Sequence, residues 1–337
     1  MKAMVVRTAN ESLVLEERPV PEPEPGQVRI RVHACGICHS DHFVTGQLWP
    51  GLELPRVPGH EVAGVIDALG EGVTQFATGD RVGLGWHGGH DGTCKHCLSG
   101  HFINCEGAQV TGISFDGGYG EYVVAPAVAV ARLADGMSFV DAAPLLCAGI
   151  TTFNALRNAG ARSGDLVGIQ GLGGLGHLGV QYARAMGFEV VAISRGADKE
   201  GFARELGAHH YVDSTGEDFV ETMQALGGAR MILATAPSAK SISGLVPALG
   251  IEGNLVIVGA PFDPIEVSAI DLISATRRVQ GWPSGTATDS TDAVAFARKH
   301  GIRPMIERFP LDQAQMAFDR MMSGEVRFRA VLELIPE

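Results

Sequence analysis

The sequence predicts a mainly-β N-terminal half followed by an α/β half built on a doubly wound parallel sheet. Three observations carry that reading. Residues 1 to about 145 hold short β-prone runs broken by Pro and Gly clusters, and from about 150 strands and helices alternate. At the head of the alternating stretch a GxGxxG element stands between a strand and a helix. With 337 residues the chain is long enough for two domains, each with its own core.

In the β half, Val28-Arg-Ile-Arg-Val-His33 and Glu61-Val-Ala-Gly-Val-Ile66 are the clearest strands, and Pro19-Val-Pro-Glu-Pro-Glu-Pro-Gly26 is a stiff loop. The α/β half opens with the strand Leu166–Gln170, then a glycine turn and a helix near Leu175–Met186. Next come a strand over Glu189–Ser194 and a helix near Lys199–Leu206. Met231–Ala236 and Asn254–Val258 are two further strands with a helix between them. The tail carries an amphipathic helix near Asp289–His300 and a strand over Phe328–Leu334.

Composition narrows the function classes. Apolar residues make up 45% and charged residues 19%, ordinary for a globular protein, and a net charge of −12 lacks the basic footprint of a nucleic-acid binder. No apolar run reaches 18 residues and the N-terminus has no secretory pattern, so neither a membrane nor export is expected and the cytoplasm is the default. The six cysteines fall at 35, 38, 94, 97, 105 and 147, a clustering that suits metal ligation better than disulfides.

The glycine turn reads Gly171-Leu172-Gly173-Gly174-Leu175-Gly176. In this strand–turn–helix context it marks a dinucleotide site, with the pyrophosphate at the helix N-terminus. An NAD enzyme usually ends the next strand with Asp or Glu. Here Ser194 and Arg195 stand there, and they suit a 2′-phosphate, so NADP is favoured over NAD.

Cys35-Gly-Ile-Cys38-His39-Ser40-Asp41 taken alone is a CxxC, open to a redox or a zinc reading. Pro58-Gly59-His60-Glu61 adds an imidazole beside a carboxylate, and Cys147 stands alone just before the nucleotide-binding half. The order Cys-His-Ser-Asp, Gly-His-Glu, Cys, GxGxxG resembles the zinc-dependent medium-chain alcohol dehydrogenases, especially their cinnamyl-alcohol-dehydrogenase-like bacterial branch. The likeness extends from residue 1 to the Arg327-Phe-Arg-Ala-Val-Leu tail.

That resemblance implies a GroES-like zinc domain over residues 1–148 with a metal lobe at 87–106, a Rossmann domain over 149–285, and a return to the first domain over 286–337. It implies a cleft between them holding zinc, nicotinamide and substrate, with catalytic zinc on Cys38, His60 and Cys147 and Cys35 left out. An open fourth position on two thiolates and one imidazole suits a catalytic zinc, which eases proton loss from an alcohol. Ser40 resembles the hydroxyl that relays the proton, Asp41 the carboxylate that orients His60, and Glu61 the acid behind the metal. His39 resembles the residue on the pyrophosphate and Thr151 one that packs on the nicotinamide. Val258, Gly259 and Ala260, with Gly281–Ser284 around Trp282, are expected to offer backbone partners to the carboxamide, and Arg329 or Arg327 to reach a phosphate.

One departure concerns the relay, where many relatives have a histidine and this chain has Phe43; His42 is adjacent but faces away if the segment is extended. In the lobe, Cys94, Cys97 and Cys105 fit the family's structural zinc, with Asp91 where a fourth cysteine is usual and His90, His96 and His101 as rival ligands. Asp91 is the expected fourth ligand, giving one catalytic and one structural zinc. Trp49 and Trp86 fall where the family lines its substrate pocket, and the pair His209-His210 precedes a strand and is assigned no metal role. The expected activity is reversible hydride transfer between a primary alcohol, aromatic, allylic or medium-chain, and its aldehyde, by a homodimer or homotetramer. The alternatives are an enone or quinone reductase on the same fold and a non-catalytic zinc-stabilised NADPH sensor.

Overall fold

A computed structural model describes residues 1–336 and separates into two compact units, Met1–Ile150 with Gly285–Glu337, and Thr151–Ser284. Strands in the first stretch are β1 (Lys2–Val5), β2 (Val14–Glu17), β3 (Gln27–Ile37), β4 (Val62–Leu69), β5 (Arg81–Leu84), β6 (His87–Gly89), β7 (Gln109–Val110), β8 (Tyr122–Pro126) and β9 (Val130–Arg132). The second unit holds β10 (Leu166–Gln170), β11 (Glu189–Ser194), β12 (His210–Asp213), β13 (Ala229–Ala234), β14 (Leu249–Ile257) and β15 (Arg278–Gly281). The tail returns to the first unit with β16 (Ile306–Phe309) and β17 (Arg329–Glu333).

The first unit is organised by β3. Val28, Ile30 and Val32 point into the core while Gln27, Arg29 and Arg31 alternate outward, as a half-buried strand dictates. From Ala34 the strand is buried to Ile37, one residue short of Cys38. The sheet runs β16-β17-β3-β4-β5-β9, with β8 also paired to β3. β17 lies antiparallel to the end of β3, Ala330 opposite Ile37 and Leu332 opposite Cys35. The strand nearest the chain's C-terminus thus backs the strand that delivers Cys38.

In the second unit all six strands are parallel, in the order β12-β11-β10-β13-β14-β15. Strand order reverses between β10 and β13, the place where such sheets bind ligands beyond the carboxyl ends of the strands. Central strands are continuous apolar runs, Val190–Ile193 and Met231–Ala234, buried on both faces. One sheet edge departs from expectation. The strand expected just after His209-His210 is β12, while β15 and the helix Phe219–Ala225 are absent from the sequence reading. β15 is an edge strand of four residues, Arg-Val-Gln-Gly, with no apolar run to betray it. β13 starts two residues before the expected Met231 and stops at Ala234, and β14 starts at Leu249, five before the expected Asn254.

Candidate active site

Cys38 follows β3 and opens a 3-10 turn, His39–Asp41, that runs into a short helix, His42–Thr45. The segment is therefore helical, which corrects the extended reading of His42. The ring of His42 bonds Thr45 Oγ1 at 3.2 Å, and Phe43 turns into an aromatic cluster. Ser40 sits half-buried in the turn and His39 is exposed.

The carboxylate of Asp41 is buried beneath this turn. Its Oδ2 accepts from the Cys38 backbone N–H at 2.9 Å, and its Oδ1 lies 3.0 Å from His60 Nδ1. That contact commits Nδ1 and leaves His60 Nε2, buried and without a partner among the described residues, on the side of Cys38 and Cys147. Ligand atoms of Cys38, His60, Glu61 and Cys147 all lie within 4.8 Å of one another, and the two sulfurs are 3.8 Å apart. Two thiolates about 2.3 Å from a tetrahedral zinc stand about 3.8 Å apart, so the donor set and its spacing fit zinc. Cys35 is buried away from this group, and burial together with the Asp41 charge pushes its thiol well up.

The electrostatics of the cluster suit a cation. The contact with Cys147 Sγ, with help from the charges of His60 and Arg329, lowers the Cys38 thiol well below its usual range, and the same contact raises Cys147 well above it. Burial works against charge on His60, but Asp41 and the Cys38 thiolate outweigh it and raise its pKa well above the usual value. Burial pushes the Glu61 carboxyl up to about 7, against the opposing charge of Arg329. Arg329, on β17, pairs its Nη2 with Glu61 Oε1 in a fully buried contact. Its Nη2 is therefore taken by a carboxylate and not free for the phosphate that Arg329 or Arg327 is expected to reach; its Nε, buried, has no partner among the described residues.

Beside His60 stands an aromatic group. Trp86 packs edge-on to the His60 ring at 4.9 Å, Trp49 lies 5.7 Å from Trp86, and Phe43 lies 5.6 Å from Trp49. The residue that replaces the relay histidine is thus part of the same apolar wall. Sequence reasoning noted Phe43 only as a missing base.

The lobe gathers Asp91, Cys94, Cys97 and Cys105 with their ligand atoms within 4.8 Å. Asp91 Oδ1 accepts from the N–H groups of Thr93 and Cys94 at 2.7 and 2.8 Å, and Oδ2 faces Cys105 Sγ at 3.1 Å. One oxygen shapes the turn while the other is turned to the sulfurs, and these hydrogen bonds hold the carboxyl well below its usual range. The three histidines point elsewhere: His90 to His87 at 3.2 Å, His96 toward Glu106 at 3.9 Å, His101 to Ser99 at 3.0 Å.

In the second unit the turn Gly171–Gly176 joins β10 to the helix Gly176–Ala185. A Cβ on Gly176 would stand 1.7 Å from the Gly171 carbonyl oxygen, so only glycine permits this helix to sit so close to its strand. Leu172 is buried, Gly173 is exposed with open space above it, and Gly174 and Leu175 are half-buried. Ser194 ends β11 and Arg195 is exposed beyond it. On the neighbouring strand end Asp213 accepts from Gly196 N–H and Thr215, a carboxylate the motif gave no sign of. Thr151 is buried on the helix Ala148–Asn158. The N–H groups of Val258 and Gly259 both donate to Ala234 O, and that of Trp282 to Ile257 O. The backbones of these three residues can therefore offer a ligand only carbonyl oxygens, which narrows the expectation of general backbone partners; Ala260, next in the chain to Gly259, is exposed. His209 and His210 bond Val190 N–H and Glu189 at the far end of the sheet.

Comparison with known proteins agrees with this arrangement. Residues 24–135 match the alcohol dehydrogenase GroES-like domain, and residues 174–299 match the zinc-binding dehydrogenase domain. Alcohol dehydrogenase patD of Penicillium expansum is 48% identical over 333 residues, covering 99% of this chain and 97% of that protein. An alcohol dehydrogenase of Geobacillus stearothermophilus is 39% identical over 336 residues, covering 99% of this chain and 100% of that one. Among solved structures, a cinnamyl alcohol dehydrogenase of Sorghum bicolor superposes with a TM-score of 0.91 at 32% identity, covering 100% of this chain and 99% of that one.

Proposed function

This chain belongs to the zinc-type medium-chain alcohol dehydrogenases, oxidoreductases acting on CH–OH with a nicotinamide coenzyme, and on that footing we propose that it interconverts primary alcohols of aromatic, allylic or medium-chain type with their aldehydes, favouring NADP. The observation that carries the substrate reading is the group Phe43, Trp49 and Trp86 set against His60. Such a wall accepts a flat or unbranched apolar chain beside the ligand cluster, and the likeness to a cinnamyl alcohol dehydrogenase runs the same way.

Cys38, His60 and Cys147 would hold the catalytic zinc, and Asp91, Cys94, Cys97 and Cys105 a second, structural one. A zinc held there would supply Lewis-acid polarisation of the substrate oxygen, and a nicotinamide coenzyme would supply the acceptor or donor of hydride. Asp41 fixes the imidazole of His60 so that Nε2 is the ligating atom. Ser40, two residues past Cys38, passes the hydroxyl proton outward, and with Phe43 in place of a histidine the proton leaves to water. Glu61, neutralised by Arg329, lies among the ligand atoms without adding a full negative charge to two thiolates. The glycine turn with the helix Gly176–Ala185 would seat the pyrophosphate. Thr151 would pack on the nicotinamide, carbonyls of Val258, Gly259 and Trp282 with Ala260 would face its carboxamide, and Ser194 with Arg195 would bind a 2′-phosphate.

A reducing compartment such as the cytoplasm suits six free cysteines. Among the described residues no single helix is long and apolar enough to cross a membrane. A second copy of the chain would meet β15, an edge strand of the parallel sheet, in the unit whose Ile251, Phe262, Ile270 and Ile273 are each 72% to 81% exposed.

The deciding experiment is a panel of cinnamyl, benzyl, hexyl and secondary alcohols and their carbonyl partners, run with NADP(H) and NAD(H) in parallel, with zinc counted per chain. The reading predicts highest kcat/KM for the flat primary substrates, at least tenfold preference for NADPH, and two zinc ions. Preference for NADH would overturn the Ser194–Arg195 assignment; preference for branched secondary substrates would overturn the pocket assignment; one zinc would remove the lobe site.

A further inference from the structure

Outside the residues assigned so far, one buried polar side chain reaches into the centre. Tyr119 is fully buried, and its hydroxyl donates to Asp41 Oδ2 at 2.8 Å. Asp41 is thereby held from three sides: by Tyr119, by the Cys38 N–H at 2.9 Å, and against His60 at 3.0 Å.

The backbone around Tyr119 clasps the loop that carries His60. Gly117 N–H donates to Val57 O at 2.7 Å, Gly118 N–H to Gly59 O at 2.9 Å, and Tyr119 N–H to Pro58 O at 3.0 Å. Asp116, one residue before this strap, accepts from Val57 N–H at 3.0 Å. Gly59, the residue before His60, has φ +104, and a Cβ there would stand 2.4 Å from the Tyr119 ring. The strap therefore fixes the backbone leading to His60 by main-chain bonds and fixes Asp41 through the phenol. Both partners of the Asp41–His60 contact are referenced to one short segment.

From this geometry we propose that Tyr119 is a positioning residue for the metal centre: its hydroxyl sets the rotation of the Asp41 carboxylate and, through it, the aim of His60 Nε2. The ring alone would fill the space, as Phe would. The hydroxyl adds direction, because a carboxylate held by two donors on Oδ2 can present only Oδ1 to the imidazole. Burial and the Asp41 charge raise the phenol well above its ordinary range, so it remains a donor throughout the working pH of an enzyme.

The inference rests on the ligand reading given above, and the experiment separates the two. Zinc release from the full-length, zinc-loaded protein to a chromogenic chelator is followed in wild type, Tyr119→Phe, Asp41→Asn and the double variant, with Cys38→Ser identifying the phase that belongs to this centre. The thermal midpoint of each zinc-free protein is recorded alongside. Tyr119→Phe is expected to release that zinc on the order of 10-fold faster with an unchanged zinc-free midpoint. The double variant is expected to release it no faster than Asp41→Asn, since the hydroxyl acts only through the carboxylate. Equal release by Tyr119→Phe and wild type, or additive effects in the double variant, would overturn the positioning role and leave the ligand set standing. A wild-type time course with no phase lost in Cys38→Ser would overturn both.

Discussion

Among single side chains, His87 carries a direct cost in acid from its burial. It lies on β6 with its Nδ1 unpartnered among the described residues and its Nε2 3.2 Å from His90. Burial, then the neighbouring His90, lowers its pKa from 6.5 to about 4, with Asp289 opposing. A base whose folded pKa is depressed binds fewer protons folded than unfolded, so stability falls as pH drops from about 6.5 toward 4. At about 1.4 kcal/mol per pH unit the loss is at most roughly 3 kcal/mol. Denaturant unfolding at several pH values should show that slope in wild type, and His87→Phe should flatten it; an unchanged slope would assign the acid loss to other groups. This histidine gave no signal in the sequence. Cys38, His60, Cys147 and the lobe were legible through the family resemblance that their order carries, since the CxxC alone left Cys35 and Cys38 open to other roles. Tyr119 was not, being 78 residues from Asp41, and neither was the Glu61–Arg329 pair, separated by 268 residues. Contacts of that kind arise from sheet packing, which local patterns do not encode.

At the level of elements, the α/β crossover starting at β10 depends on one close approach. The first turn of the helix Gly176–Ala185 touches the end of β10 through Gly176. Gly176→Ala must push a Cβ into the Gly171 carbonyl, at a cost of roughly 3 kcal/mol or more in unfolding free energy. Coenzyme binding, followed by nicotinamide fluorescence, should weaken together with stability; a variant of full stability and full affinity would show that the turn relaxes freely. The turn and the central strands were readable because glycine spacing and apolar runs are local properties. The edge strand β15 was not readable, since a half-exposed edge needs no apolar run and takes its shape from the strand beside it. The helical turn after Cys38 escaped for a related reason: Asp41 caps it from within, and three residues are too few for a period to show.

For the whole molecule, the exposed isoleucines of the unit that holds β15 predict association. Against a chain mass of 35.4 kDa, sedimentation should give a multiple, and the double substitution Ile270→Asp, Ile273→Asp should return it to the single-chain value. A wild-type protein that already sediments at the single-chain mass would refute that interface. Chain order has a separate consequence, concerning how the molecule is made. β3 and its partner β17 stand about 290 residues apart, with Ala330 opposite Ile37. At about 5–20 residues per second a ribosome takes roughly 15 to 60 seconds to cover that span. Until Arg329 emerges, Glu61 lacks its guanidinium and β3 lacks a partner along Ala34–Ile37, and by then the whole of Thr151–Ser284 has been made. The unit that is begun before the other can close only after it.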